Sequence, residues 1–190
     1  MTVRTSHARS LTDGELIARS HTTADAFHNV FDRHFNVVRR YLARRVGRDR
    51  ADDLASQTFT VAFSRRTTFR TDATDARPWL LGIATNLLMN ERRAERRSLE
   101  AVDRMKVQPV PPAAELADDL LDHQVGAALA ELDPDQRDVL LLFAWGELSY
   151  EEIALALAIP VGTVRSRMSR ARSHLRRRLE PSVQSEEDPK

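Results

Sequence analysis

Residues 132–179 read LDPDQRDVLLLFAWGELSYEEIALALAIPVGTVRSRMSRARSHLRRRL. Asp133-Pro134-Asp135-Gln136 combines a helix cap, a first-turn proline and a glutamine at the capping-box position. The helix it opens carries Val139, Leu140, Leu142 and Phe143. Ser149-Tyr150-Glu151-Glu152 is a second capping box and predicts a short helix with Ile153, Ala154 and Leu157. Ile159-Pro160-Val161-Gly162 is a break. Val164, Met168, Ala171, Leu175 and Leu179 then recur at helical spacing, which predicts a last helix with one buried ridge. A capped short helix, a tight turn and a longer helix are the makings of a helix-turn-helix.

Charge sharpens this reading. The 190 residues hold 29 Lys+Arg and 28 Asp+Glu, a formal net charge of only +1. That sum hides a segregation. Between Asp122 and Glu152 stand eight acids and one base, Arg137. Between Ile153 and Leu179 there are seven arginines (165, 167, 170, 172, 176, 177 and 178) and no acid. All seven avoid the apolar ridge. The last helix therefore offers water a face of guanidinium groups and small hydroxyls, with Ser166, Ser169 and Ser173 among them. Its width suits the major groove, and arginine suits phosphates and guanine edges. A second basic patch, Arg92, Arg93, Arg96 and Arg97, is diluted by Glu91 and Glu95, so helix-surface ion pairing competes there with nucleic-acid contact.

Upstream, helical periodicity dominates again and no strand-like alternation of useful length occurs. Phe27, Val30, Phe31, Phe35, Val38, Leu42 and Val46 form one stripe on a helix of about five turns that ends at Gly47. A second helix begins near Arg50, with Leu54, Thr58, Val61 and Ala62 on one face. Residues 66–77 lack periodicity and read as a loop. A third helix starts near Pro78, buries Trp79, Leu80, Ile83, Leu87 and Leu88, and turns polar over residues 90–97. Residues 98–121 are acidic and carry Pro109, Pro111 and Pro112, the composition of a linker. The expected class is all-α: two small helical domains, 24–97 and 122–180, joined by the flexible linker 98–121. Residues 1–23 form an N-terminal extension without an assigned role, and 181–190 a disordered tail.

Composition excludes much else. With no cysteine there is no disulfide, thiolate metal site or thiol redox switch. No apolar run approaches the roughly 20 residues of a membrane span, and MTVRTSHARSLTDGE lacks a secretory apolar core, so the expected compartment is the cytoplasm. The six histidines show no metal-ligand spacing, and no Gly-rich phosphate loop is present, so no catalysis, metal or cofactor is expected.

The pattern as a whole resembles the extracytoplasmic-function (group 4) class of bacterial sigma-70-family RNA polymerase sigma factors, over roughly residues 24–180. Four stretches carry the likeness. FHNVFDRHFNVVRRYLARRVG (27–47) and RADDLASQTFTVAF (50–63) resemble the first helices of the sigma-2 domain. RPWLLGIATNLLMNERRAERR (77–97) resembles the helix that opens and reads the −10 promoter element, and residues 132–179 the sigma-4 helix-turn-helix. The resemblance implies a subunit that binds core RNA polymerase and directs promoter-specific initiation, with the largest catalytic subunit and the flap region as docking partners. Asp52, Asp53, Leu54, Gln57 and Phe59 would contact core polymerase. Trp79, Asn86, Asn90, Arg92 and Arg93 would act at the −10 element, beside a specificity loop over 69–77. Thr163, Arg165, Ser166, Arg167, Ser169, Arg170, Arg172 and Arg176 would engage the −35 element. An anti-sigma factor wedged between the domains is a further implied partner. Ala158 departs from the family, which commonly has glycine in that turn.

Two other readings compete. A helix-turn-helix regulator that is not a polymerase subunit would usually carry an α/β receiver, for which the N-terminal half offers no strands. A small helical enzyme would need a catalytic constellation that the sequence does not supply.

Overall fold

A computed structural model describes residues 11–103 and 120–179. Eight α-helices and two short 3₁₀ turns make up the described residues, and none of them forms a strand. Four helices build an N-terminal body: α1 (Asp13–Ser20), α2 (His28–Val46), α3 (Arg48–Ser64) and α4 (Arg77–Asp103). Four more build a C-terminal body: α5 (Leu120–Ala130), α6 (Pro134–Ala144), α7 (Tyr150–Leu157) and α8 (Val161–Leu179).

The N-terminal body follows the apolar stripes. Val30, Val38 and Leu42 of α2 meet Leu54, Ala55 and Ala62 of α3 and Leu80, Leu81, Ala84 and Leu88 of α4 in one core. Removing a leucine side chain of this size from water contributes about 2 kcal/mol. Gly47 ends α2 at φ 80, a left-handed conformation that favours glycine, and α3 begins immediately after it. Two positions differ from the sequence reading: Trp79 and Leu87 are only half-buried, whereas Leu81 and Ala84 are buried. Trp79 lies against Phe69, with ring centroids 4.9 Å apart.

Two boundaries shift. α1 precedes the expected domain start at residue 24, yet Leu16 and Ile17 belong to the core. Thr12 caps it in a capping box with Glu15. At the other end, α4 runs to Asp103 and takes in the first six residues, 98–103, of the expected linker. SLEAVD contains no glycine or proline, so nothing in it breaks the helix. The rest of the expected linker, 104–119, and the tail 181–190 lie outside the described residues.

The C-terminal body forms as its caps dictate. Asp133 accepts from the backbone N–H groups of Asp135 (3.0 Å) and Gln136 (3.4 Å). Ser149 and Glu152 close a reciprocal box, Ser149 Oγ accepting from Glu152 N at 3.2 Å and Glu152 Oε2 from Ser149 N at 2.8 Å. Val164, Met168 and Ala171 of α8 pack into Val139, Leu142, Leu148 and Ile153. Between α7 and α8 the chain turns through Ala158, at φ 53 and ψ 44.

The two bodies touch through α4 and α7. Gly82 of α4 is pressed against the backbone of Ala156, so closely that a Cβ there would collide with it. Arg45 of α2 pairs with Asp138 of α6, and Arg44 lies over the Trp145 ring at 5.8 Å.

Candidate nucleic-acid and polymerase interface

α8 presents the basic surface. Its ridge sinks into the C-terminal body and leaves Arg165, Ser166, Ser169, Arg170, Arg172 and Arg176 exposed, with Thr163 half-buried at the first turn. Ser166 Oγ donates to the Thr163 carbonyl at 3.0 Å, which leaves its oxygen free to accept. Arg172 lies over the Phe143 ring at 5.3 Å, so its stem is steered along one direction. Arg167 differs from the others. It is half-buried and its guanidinium donates to Asp135, tying α8 to the start of α6. It braces the helix in this structure rather than standing ready for a phosphate. Arg178 likewise donates to Glu131.

On the N-terminal body, Asn86 and Asn90 sit one turn apart on α4 and both are exposed. Asn86 rims a pocket of about 170 Å³ together with Met89 and Arg93 from α4 and Asp135, Asp138, Leu157, Ile159 and Arg167 from the C-terminal body. Arg93 is exposed, but Arg92 is half-buried and reaches within 3.9 Å of Asp138. Trp79 lies two turns before Asn86 on the same face of α4, backed by Phe69 of the 65–76 segment.

The expected polymerase face is divided. Asp52, Asp53 and Gln57 are exposed on α3, with Arg39 donating to Asp52. Leu54 and Phe59 are not part of the surface: they are only 2% and 4% exposed. Both lie on the inward stripe of α3, and Phe59 meets Phe31 edge-on at 4.9 Å. They shape the face from beneath. Phe59 lies at the base of an open groove of about 590 Å³ between α2 and α3, lined also by Phe27, Phe31 and Phe63.

Asp13 is a polar centre that the sequence reading missed. It is buried, and its carboxylate accepts from Arg33 (3.0 Å), His34 Nε2 (2.5 Å) and the Ala76 N–H (2.9 Å). Burial by itself would raise its pKa, but the hydrogen bonds from His34, Ala76 and Arg33 and the charge of His34 bring it down to about 2. Asp13, His34 and Asp75 are a possible metal-ligand trio among the described residues, with donor atoms within 4.8 Å of one another. Both Asp13 oxygens are already committed to protein donors, so the trio serves as a hydrogen-bond hub. No local motif signals it, because its members come from three separate segments.

Both bodies are similar to known proteins. Residues 30–98 match the family model "Sigma-70 region 2" and residues 122–175 match "Sigma-70, region 4". The chain is 34% identical to the ECF RNA polymerase sigma factor EcfG of Rhodopseudomonas palustris, over 67% of this chain and 70% of that one. It is 32% identical to the RNA polymerase sigma factor CarQ of Myxococcus xanthus, over 82% of this chain and 90% of the other. Its fold is similar to that of the sigma factor RpoE of Bartonella quintana in complex with the anti-sigma factor NepR. The TM-score is 0.65 at 25% identity, covering 83% of this chain and 99% of that one. None of the described helices is long and apolar enough to cross a membrane.

Proposed function

The chain belongs to the extracytoplasmic-function class of RNA polymerase sigma factors, and from that premise we propose how its residues divide the work of initiation. A sigma factor is a regulatory subunit of polymerase, and its task is to bring the core enzyme to a promoter. α8 enters the major groove of the −35 element. Arg165, Ser166, Ser169 and Arg170 read base edges, while Thr163, Arg172 and Arg176 hold phosphates. The observation that carries this reading is the exposed, acid-free face of α8, held on a ridge packed by the rest of its body.

α4 acts at the −10 element. Asn86 has an amide that can pair donor and acceptor with the edge of an unstacked base, and Asn90 continues the same face. Trp79 and the 69–77 loop form the wall beside it. Capture of the base offsets the few kcal/mol that strand opening costs. Arg93 supplies a phosphate contact next to this pocket, and Arg92 joins it once the C-terminal body moves away. Asp52, Asp53 and Gln57 form the exposed part of the polymerase face. The same face of α4 now shares a pocket with Asp135 and Asp138. The C-terminal body covers that face and leaves only about 170 Å³ beside it, so the two bodies part before a base reaches Asn86. Core polymerase, which engages both bodies, drives that parting. An anti-sigma factor, such as the one bound to the Bartonella relative, holds the chain inactive until then, and the place of action is the cytoplasm.

Footprinting tests this division. The chain with core polymerase protects both the −35 and −10 elements, and the chain alone protects neither. Full protection by the chain alone would assign it instead to the regulators that bind DNA without polymerase.

A further inference from the structure

The segment from Arg65 to Ala76 has almost no core of its own. Thr67, Thr68, Arg70, Thr71, Asp72 and Thr74 are exposed, and only Phe69 and Ala76 are buried. A segment with so few apolar contacts does not fix its own path, and its backbone groups need partners from elsewhere. α1 supplies them at both ends. At the far end the Asp13 N–H donates to the Thr74 carbonyl (3.3 Å), and Asp13 Oδ2 accepts from the Ala76 N–H (2.9 Å). At the near end His21 Nε2 donates to the Arg66 carbonyl (3.2 Å), and Arg66 Nε donates to the Ser20 carbonyl (3.3 Å). Between them Gly14 lies flat on the loop. A Cβ on Gly14 would collide with the carbonyl oxygens of Thr71 and Ala73, which are backbone atoms and cannot rotate aside.

The clamp is itself fixed. Arg33 and His34 of α2 hold the Asp13 carboxylate, and Arg33 also donates to the Leu11 carbonyl at 2.8 Å. Leu16 and Ile17 anchor α1 in the core. The loop in turn carries Phe69, against which Trp79 rests. A chain of contacts thus runs from α2 through Asp13 and Gly14 to the wall of the base pocket.

We propose that α1 is a positioning element for promoter recognition, and that Asp13 and Gly14 set the base preference of the −10 pocket by fixing the 69–77 loop. The inference rests on the assignment of that loop and Asn86 to the −10 base. Asp13 and Gly14 are positioning residues, since neither reaches the pocket. A purely structural role would weaken initiation at every promoter alike. A positioning role changes the ratio between promoters.

The test uses the holoenzyme on a promoter library randomised across the −10 element and, separately, across the −35 element. Gly14→Ala is expected to change the ratio between the best and worst −10 base by about tenfold, the scale of one well-made base contact. Ratios among −35 sequences and affinity for core polymerase stay at wild-type values. Should Gly14→Ala fail to fold, Asp13→Asn serves, because it keeps an acceptor for the Ala76 N–H but loses the charge held by Arg33. Asn86→Ala is run beside them. If Asn86→Ala alters the −10 ratios while both α1 variants leave them unchanged, the inference falls and the pocket assignment stands. If all three leave the ratios unchanged, the pocket assignment falls and takes the inference with it.

Discussion

Arg45 and Asp138, 93 positions apart, form an ion pair sealed between the two bodies, their side chains 1% and 2% exposed. Arg45 is further held by Tyr41, whose hydroxyl accepts from Arg45 Nη1 at 2.6 Å and bonds Thr85 Oγ1 at 2.9 Å. Asp138 Oδ2 and Arg45 Nε find no hydrogen-bond partner among the described residues. A buried pair with such loose ends gives little net stability, because desolvation offsets most of the Coulomb attraction. The interface it seals is therefore easier to open than an apolar one of the same size.

Asp138→Ala leaves a guanidinium buried without its counter-charge, an imbalance of about 3–5 kcal/mol. Separation of the bodies relieves it by letting water reach Arg45. The expected result is a larger radius of gyration by small-angle scattering with unchanged helix content. Arg45→Met combined with Asp138→Leu, which removes both charges, keeps the compact form.

Ala158→Gly is expected to stabilise the C-terminal body. Ala158 sits at φ 53, where a Cβ crowds the following carbonyl at a cost of about 1–2 kcal/mol. Glycine removes that crowding but adds unfolded-state entropy, so the net gain is about 1 kcal/mol. Thermal unfolding of the chain checks it, and Ala158→Val should move the midpoint the other way.

The arginines of α8 should separate by role. Arg165→Ala and Arg170→Ala each cost about 1–3 kcal/mol at one −35 base step, with core binding retained. Arg167→Ala releases Asp135 from α8, so its effect appears in the stability of the C-terminal body and not in base discrimination. Competition binding with single-base −35 variants distinguishes the two patterns.

Acid should loosen α1. The Asp13 carboxyl has a folded-state pKa of about 2, against an ordinary aspartate value of 3.8. A lowered pKa means stability that is complete above the unfolded value and is lost as pH falls from about 4 towards 2, on the order of 2 kcal/mol in all. Denaturant titration of wild type and Asp13→Asn at pH 6 and pH 2.5 should show the stability gap between them shrinking in acid.

How far the sequence could be read depended on whether a signal was local. α7 and α8 were legible because a capping box, a Pro-containing break and a regular apolar ridge all lie within about thirty residues. The exposed arginine face followed from the same ridge. The family resemblance puts Leu54 and Phe59 with Asp52 and Gln57 on the polymerase face, yet the helical repeat turns both inward, Phe59 onto Phe31. Acidic, proline-bearing composition predicts a linker from 98, but none of residues 98–103 stops a helix, so α4 runs on to Asp103. Arg45–Asp138 and the Asp13 hub join segments far apart in the chain, and no spacing rule announces such partners. α1 is only eight residues long, and its importance comes from what it touches.

The central claim is that this chain converts core polymerase into a promoter-specific enzyme through α4 and α8. Sequencing the 5′ ends of run-off transcripts made on genomic DNA, by core polymerase with and without the purified chain, tests it most directly. With the chain present, a new set of start sites that share −35 and −10 sequences should appear, and it should vanish with Arg165→Ala plus Arg170→Ala. Start sites indistinguishable from those of core polymerase alone would contradict it.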